Sequence, residues 1–408
     1  MEDYYLGGLD TFVINLINNW PDSSDCLTFI CNNKHTGLDF IEASLRRPCT
    51  IIRHNLLIFS GIFELTEKNN KINNFFVFIL RLFSPVLKYV FLVYNIFALK
   101  KILLKNSPDR LMIIHGGYPG GDSCRAASIA WGLFSKKPYS IHNFHGIVLK
   151  PKWHIKFQEL LVDTLVSRFS KAFVTVSKAA ADSMLSRGRI CKKHKISYIF
   201  NGIEVVDGGQ NKNAVDLKTV RGSSSSGPLC LTLGGYHRHK NFDKGHYFLF
   251  QVFKKIIQSI PGAQLLVCGY GTPASIEKVR KLVLESGLER NVNLHGFRND
   301  VSCLLSHSEV LLIGSQVFES FCLASIEAMA HHVPVVATNV GAVPEIVLDG
   351  QGGYCFDKED VDSYADCVIK LLKNESLKKE QGQRGYQRYK EFFTASRMAG
   401  EYAKIVHG

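Results

Sequence analysis

Short apolar runs recur along the chain at Leu111–His115 (LMIIH), Ala172–Val176 (AFVTV), Leu229–Leu233, Gln264–Cys268, Val310–Ile313 and Pro334–Thr338. Most are followed by glycine, serine or a polar turn, and stretches of helical periodicity lie between them. Unbroken apolar runs of this length suit strands buried on both faces. Their alternation with helices predicts βα units and parallel sheets, hence an α/β fold. Between Val205 and Pro228 the chain reads VVDGGQNKNAVDLKTVRGSSSSGP, poor in aromatics and ending in a serine–glycine tract. That is linker composition. The expected organisation is an N-terminal domain over 1–204, a linker over 205–228, a C-terminal domain over 229–385, and a final helix over 386–408 packing back on the first domain. A chain of 408 residues is long enough for two such domains. With 46% hydrophobic and 21% charged residues, disordered and collagen-like architectures are excluded.

Basic residues exceed acidic ones by 49 − 36 = 13, and the excess is one-sided. Residues 1–204 hold 26 basic and 15 acidic side chains, the remainder 23 and 21. One half is therefore suited to an anionic surface or substrate. From Lys68 to Pro108 there is no acidic residue at all, and the centre reads FFVFILRLFSPVLKYVFLVYNIFALKKILL. Arg81, Pro85 and Lys88 leave runs shorter than the ~20 apolar residues that a membrane span needs. Pro85 is expected to break or kink a helix. Two readings stand: a pair of buried helices on a sheet, or an in-plane helix in peripheral contact with an anionic membrane. The 11 cysteines lie singly, with no C-x-x-C pair, so neither a zinc site nor a disulfide framework is expected, and a reducing cytoplasm is the simplest location. MEDYYLGGLD carries neither a basic n-region nor an apolar h-region, so no secretory signal is expected.

In an open parallel sheet, ligands sit beyond the carboxyl ends of strands, where glycine turns lead into helix N-termini. The most informative turn lies in Val310–Val347, VLLIGSQVFESFCLASIEAMAHHVPVVATNVGAVPEIV. Here a strand ends in a polar loop and a helix is expected to begin near Glu319–Phe321. Glu319 and Glu327 lie eight positions apart, a little over two helical turns, so both can address one side of the helix start. Paired carboxylates accept hydrogen bonds from sugar hydroxyls, and N–H groups near Ser320, Phe321, Cys322 and Leu323 suit a phosphate.

This stretch resembles the retaining GT-B glycosyltransferases of family 4, the glycosyl transferases group 1. The features that carry the resemblance are two glutamates separated by seven residues, EAMA, a Pro-Val-Val-Ala-Thr strand and Gly-x-x-Pro-Glu. Asn201-Gly202-Ile203-Glu204, VTVSKAAADSM (174–184), Ser107-Pro108-Asp109 before LMIIHGG, CGYGTP (268–273) and LHGFRNDV (294–301) are similar to further family segments, in the same order. The resemblance implies two Rossmann-like domains facing each other across a cleft. It implies transfer of a sugar from a nucleotide-diphosphate sugar to a hydroxyl acceptor with retained configuration. The expected acceptor is a lipid-linked or cell-surface glycan of polysaccharide biosynthesis, with no metal, no other cofactor and no nucleic-acid partner. A non-catalytic nucleotide-sugar-binding subunit and a GT-B nucleotide-sugar epimerase are the alternatives.

By the same resemblance, Glu327 would hold the ribose hydroxyls and Glu319 would contact the donor sugar. His145, in IHNFHGIV, would hydrogen-bond the sugar or the departing phosphate. Gly7 and Gly8 match the first glycine turn, although only six residues precede it where a strand is expected. Gly271 and Phe297 belong to turns that would line the donor. For the diphosphate the family uses an arginine and then a lysine. LTLGGYHRHKNFDKGHY offers Arg238 and Lys244 at irregular spacing, with Lys240 able to replace either and Tyr236 where the arginine normally stands. Two departures concern backbone: Cys322 and His332 stand where the family commonly has glycine. His142, three residues before His145, has metal-like spacing but no evident third ligand.

Overall fold

The computed structural model describes residues 1, 7–56, 74–135, 140–205, 227–236 and 244–408. The chain separates into two compact units, Met1–Phe200 with Met398–Gly408, and Asn201–Arg397. Nearly all of 205–228, and the stretch ahead of Gly7, lie outside the described residues. The second unit does not stop at 385: Glu375–Phe392 is one unbroken helix, and the boundary falls inside the next, Ala395–His407. The expected single terminal helix is thus two.

The first unit opens with α1 (Gly8–Asn18), β1 (Leu27–Asn32), a short helix at Leu38–Ser44, and β2 (Cys49–His54), which pairs parallel to β1. After α2 (Asn74–Asn106) come β3 (Leu111–His115), α3 (Asp122–Phe134), β4 (Ser140–Phe144), α4 (Lys156–Phe169), β5 (Ser170–Thr175) and β6 (Ile196–Tyr198). The last four strands form a parallel sheet in the order β3-β4-β5-β6. Side chains alternate across a strand, so β4 feeds two cores. Ile141 joins Phe12, Val13 and Leu16 of α1 on one side, while Phe144 joins Ala126 and Ile129 of α3 and Val162 and Val166 of α4 on the other. Met398, Ala399 and Tyr402 are buried in the first of these cores, which is why the last turns of the chain belong to this unit.

The alternative of two helices does not hold: α2 runs 33 residues without interruption through position 85. A mid-helix proline forfeits one ladder bond, and tertiary packing offsets that loss. Leu92, Ile96, Leu99 and Leu103 recur at helical spacing and are buried against α3.

The second unit is a six-stranded parallel sheet, β12-β11-β10-β7-β8-β9. Its strands are β7 (Leu229–Leu233), β8 (Gln264–Cys268), β9 (Val292–His295), β10 (Val310–Ile313), β11 (Val335–Thr338) and β12 (Gly353–Phe356). The crossing helices include α5 (His246–Ser259), α6 (Pro273–Ser286), α7 (Leu323–Ala330) and α8 (Val361–Lys373). The chain builds outward from β7 through β8 to β9, then returns to place β10 on the other side of β7. The edge between β7 and β10 is therefore a topological switch point, where crevices open in such sheets. On the other side of β10, the Tyr364 hydroxyl ties that strand to β11: it accepts from the Ile313 N–H (3.0 Å) and donates to the Val336 carbonyl (2.5 Å).

Candidate functional site

At the switch point the loops after β7 and β10 touch. Gly245 adopts a left-handed φ of +72°, and a Cβ there would lie 1.7 Å from the Gly314 carbonyl oxygen, so only glycine fits. This contact brings Lys244 against the β10 loop. Its Nζ donates to Glu319 Oε1 at 2.5 Å, and the Ser315 hydroxyl donates to the same oxygen at 2.6 Å. The Glu319 carbonyl accepts from the Ala342 N–H (2.8 Å). Gly341, at φ +57°, allows that approach, since a Cβ would sit 2.2 Å from the Glu319 carbonyl oxygen. The carboxylate is thus held by two side chains, and the Glu319 backbone by a third segment. Lys244 remains 40% exposed, enough to meet a second anion.

Glu319 does not stand in the helix, as the spacing suggested; α7 begins at Leu323. The reason is Cys322, whose φ of 89° is left-handed and cannot continue a helix. Holding a non-glycine residue there costs about 1–2 kcal/mol. The thiol is pushed up to about 11 by burial and by the neighbouring Glu319 carboxylate, and it accepts from the Ser325 hydroxyl at 3.3 Å. It stays protonated at neutral pH and is no nucleophile. His332 is also left-handed, with φ 57°. Its N–H bonds the Met329 carbonyl and the Val333 N–H bonds the Ala328 carbonyl, a Schellman end to α7, with the ring stacked on Tyr386 at 4.1 Å.

Ser320, Phe321 and Cys322 form the loop into α7, and Leu323 opens it. The Phe321 ring is buried against Phe393 (6.1 Å), so from this residue only backbone can face a ligand. Glu327, on the second turn of α7, finds no cation among the described residues, and burial pushes its carboxyl up to about 7. Gly271 and Phe297 occupy the turns after β8 and β9, on the strand-end edge that carries Lys244. Phe297 is half exposed, and Gly271 packs against Tyr236. Tyr236 serves the core: its hydroxyl bridges the Val267 and His295 carbonyls. Arg238 and Lys240 lie outside the described residues. Sequence reasoning missed Ser315, which carries no motif of its own; its place directly after the strand–glycine turn of β10 was the available signal.

In the first unit, Gly7 caps α1 and its N–H donates to Asp10 Oδ2 at 2.7 Å, with Gly8 opening the helix. Asp10 is fully buried and paired to His35 Nε2 at 2.6 Å. His145 lies just beyond β4, its ring edge-on to Phe12 of α1 at 4.2 Å. Its Nε2 bonds Asn143 Oδ1 (2.5 Å), while Asn143 Nδ2 donates to the Tyr402 hydroxyl (2.6 Å). Burial, with His115 nearby, pushes His145 down to about 3, so the ring is neutral at physiological pH. Gly7, Gly8 and His145 therefore share one end of this unit. Tyr402 is a further member that sequence did not suggest. His142 turns instead to His115 Nε2 (3.3 Å) among the phenylalanines of the other core, and does not share a ligand position with His145. Among the described residues, the group spaced to hold a metal is Asp22, Asp25 and His407. Its carboxylates already bind Ser24 and Trp20.

Two parallel-sheet units of Rossmann type, one with a lysine–glutamate pair and a helix start at its switch point, define a GT-B glycosyltransferase architecture. The family described as Glycosyl transferases group 1 matches residues 227–388, and the one described as Glycosyltransferase Family 4 matches residues 6–206. Both halves of the chain therefore resemble glycosyltransferase families. The chain is 30% identical to the N-acetyl-alpha-D-glucosaminyl L-malate synthase of Bacillus anthracis over 196 residues, 48% of this chain and about half (49%) of that relative's length. It is 24% identical to the capsular polysaccharide biosynthesis glycosyltransferase CapM of Staphylococcus aureus over 76% of this chain and 80% of that one. The crystal structure of Anabaena HepE in complex with UDP superposes with a TM-score of 0.70 at 15% identity, covering 100% of this chain and 98% of that one.

Proposed function

We propose that this protein transfers a sugar from a nucleotide-diphosphate donor to a hydroxyl of a glycan acceptor, with the anomeric configuration retained. The observation that carries the reading is the convergence of Lys244, Glu319 and the first turn of α7 at the switch point of the second sheet. The diphosphate lies against the Lys244 ammonium and the helix start, whose N–H groups and dipole favour an anion. Glu319, oriented by Lys244 and Ser315, accepts hydrogen bonds from the sugar hydroxyls. Glu327 accepts from the ribose hydroxyls. As the bond from C1 to the phosphate oxygen breaks, charge grows on the leaving diphosphate, where the lysine and helix dipoles stabilise it without a metal ion. The acceptor oxygen bonds to C1, and its proton passes to a leaving-phosphate oxygen. His145, neutral and fixed through Asn143, offers a hydrogen bond to the sugar. The two named relatives, a malate-linked glucosaminyl synthase and a capsule glycosyltransferase, support a small-molecule or polysaccharide acceptor, and we favour a lipid-linked glycan at the cytoplasmic membrane face.

The test is a panel of UDP-, GDP- and ADP-sugars with membrane extract, following nucleotide release and glycolipid. Acceptor-dependent release of one nucleotide is expected. Release of an altered sugar without acceptor, or tight binding without turnover, would replace the reading by an epimerase or a binding subunit. A pH dependence follows from Glu327. Only its ionised form accepts two ribose bonds, and its apo pKa lies near 7. Nucleotide affinity should therefore fall as pH drops from 8 to 6, approaching tenfold per unit at the acid end. Glu327→Gln should bind weakly at both pH values; a wild-type Kd independent of pH over this range would remove Glu327 from the nucleotide site.

A further inference from the structure

The outward side of α2 is apolar as well as its inward side. Phe83, Val86, Val90, Val93, Phe97 and Leu104 are each about half exposed or more. At ~100° per residue they fall within an arc of roughly 100°, opposite the buried Leu92, Ile96, Leu99 and Leu103. Contiguous exposed apolar surface on this scale marks an interaction site. A second exposed set lies beside it, on α4 and the turn before it: Trp153, Phe157, Leu161 and Leu165, with Trp153 87% exposed. The two helices are neighbours, since Lys88 Nζ and the Tyr89 hydroxyl of α2 both donate to Glu159 of α4. Both turn their other sides into one core, so both sets face outward from the same layer.

Charge selects the occupant. Within 147–169 the acidic residues are Glu159 and Asp163, and both are buried among Arg125, Arg187, Lys88 and Tyr118. The exposed charges of that segment, Lys150, Lys152, Lys156 and Arg168, are all basic. Residues 83–106 contain no acid, and Lys101 and Lys105 are exposed at the C-terminal end of the stripe. A second protein chain as partner would be met by apolar surface with mixed charges at its rim. Aromatic and aliphatic side chains fringed by one sign of charge instead match the boundary between acyl chains and anionic headgroups. No helix among the described residues is long and apolar enough to cross a membrane.

We propose that the outward faces of α2 and α4 form one docking surface for an anionic bilayer, with Trp153, Phe157 and Phe97 entering the headgroup boundary and Lys101, Lys105, Lys150, Lys152 and Lys156 meeting the lipid charge. The proposal is independent of sugar transfer, because vesicle binding is read without turnover. Of the three tryptophans, Trp20 and Trp131 are buried, so exposed-indole emission reports Trp153. The test adds phosphatidylcholine vesicles, with and without phosphatidylglycerol, to the full chain. Tryptophan emission should shift to the blue with anionic vesicles only, and 0.5 M salt should weaken binding. Trp153→Phe should lose the shift while still floating with the vesicles. Phe157→Ser with Leu161→Ser, and separately Val90→Ser with Phe97→Ser, should lower the bound fraction about fivefold or more at unchanged thermal midpoint, since these side chains are exposed. Equal binding to neutral and anionic vesicles, an unshifted Trp153 in the bound protein, or unaltered binding by both double variants would overturn the proposal. So would a dimer in vesicle-free buffer that the same variants dissolve, which would seat a second copy on this face.

Discussion

Glu319→Ala is expected to lower turnover by about 10²–10³-fold while leaving nucleoside-diphosphate affinity within roughly threefold, or tighter. The asymmetry follows from the Lys244–Glu319 contact. Glu319 is held at 2.5 Å from the lysine and 2.6 Å from Ser315, so its geometry is set before substrate arrives. Removing it deletes the acceptor aimed at the sugar and misplaces the reacting carbon. It also removes one negative charge beside Lys244, which strengthens attraction for a diphosphate. Steady-state kinetics together with calorimetry of the bare nucleotide separates the two effects. Equal losses in kcat and in nucleotide affinity would show that Glu319 acts on the nucleotide and not on the sugar.

The second large effect is on stability. Glu159 lies in the first unit with Arg125 at 3.0 Å and Arg187 at 2.8 Å, all three buried, and half-buried Lys88 at 3.2 Å. Burial pulls its carboxyl upward, but the three cations outweigh it and hold the group at about 2. Glu159→Ala would leave two guanidinium groups buried with Asp163 as the remaining carboxylate, and should cost about 3–5 kcal/mol in denaturant unfolding. The pH dependence has a definite sign. A folded pKa below the unfolded one contributes stability above pH ~4.5 that is lost as pH falls toward 2. The variant should therefore show shallower acid unfolding than wild type. Unchanged stability in Glu159→Ala would mean the network is solvated in solution.

Much of this was legible in the sequence because buried parallel strands announce themselves. The runs at Leu111–His115, Leu229–Leu233, Gln264–Cys268 and Val310–Ile313 are the observed strands residue for residue, since neither face carries a polar alternation to blur the ends. The start of α7 was misplaced because left-handed backbone is normally signalled by glycine, and Cys322 gives no such sign. The continuity of α2 was hidden for a different reason. Its apolar residues cover both sides, so periodicity could not separate core from outer face, and the proline suggested a break that packing overrides. The Asn143–Tyr402 bond joins positions 259 residues apart, beyond any local pattern. The glutamate pair and Lys244 stand out as candidates because the family resemblance supplies the context that spacing lacks.

The most direct test of the donor cradle is calorimetric titration of UDP, GDP and ADP into the wild type and Lys244→Ala. One nucleoside diphosphate should bind the wild type, and the variant should bind it about 10–100-fold more weakly, the loss of one charge-assisted contact to phosphate. A Lys244→Ala protein that binds the same nucleotide with wild-type affinity would contradict it.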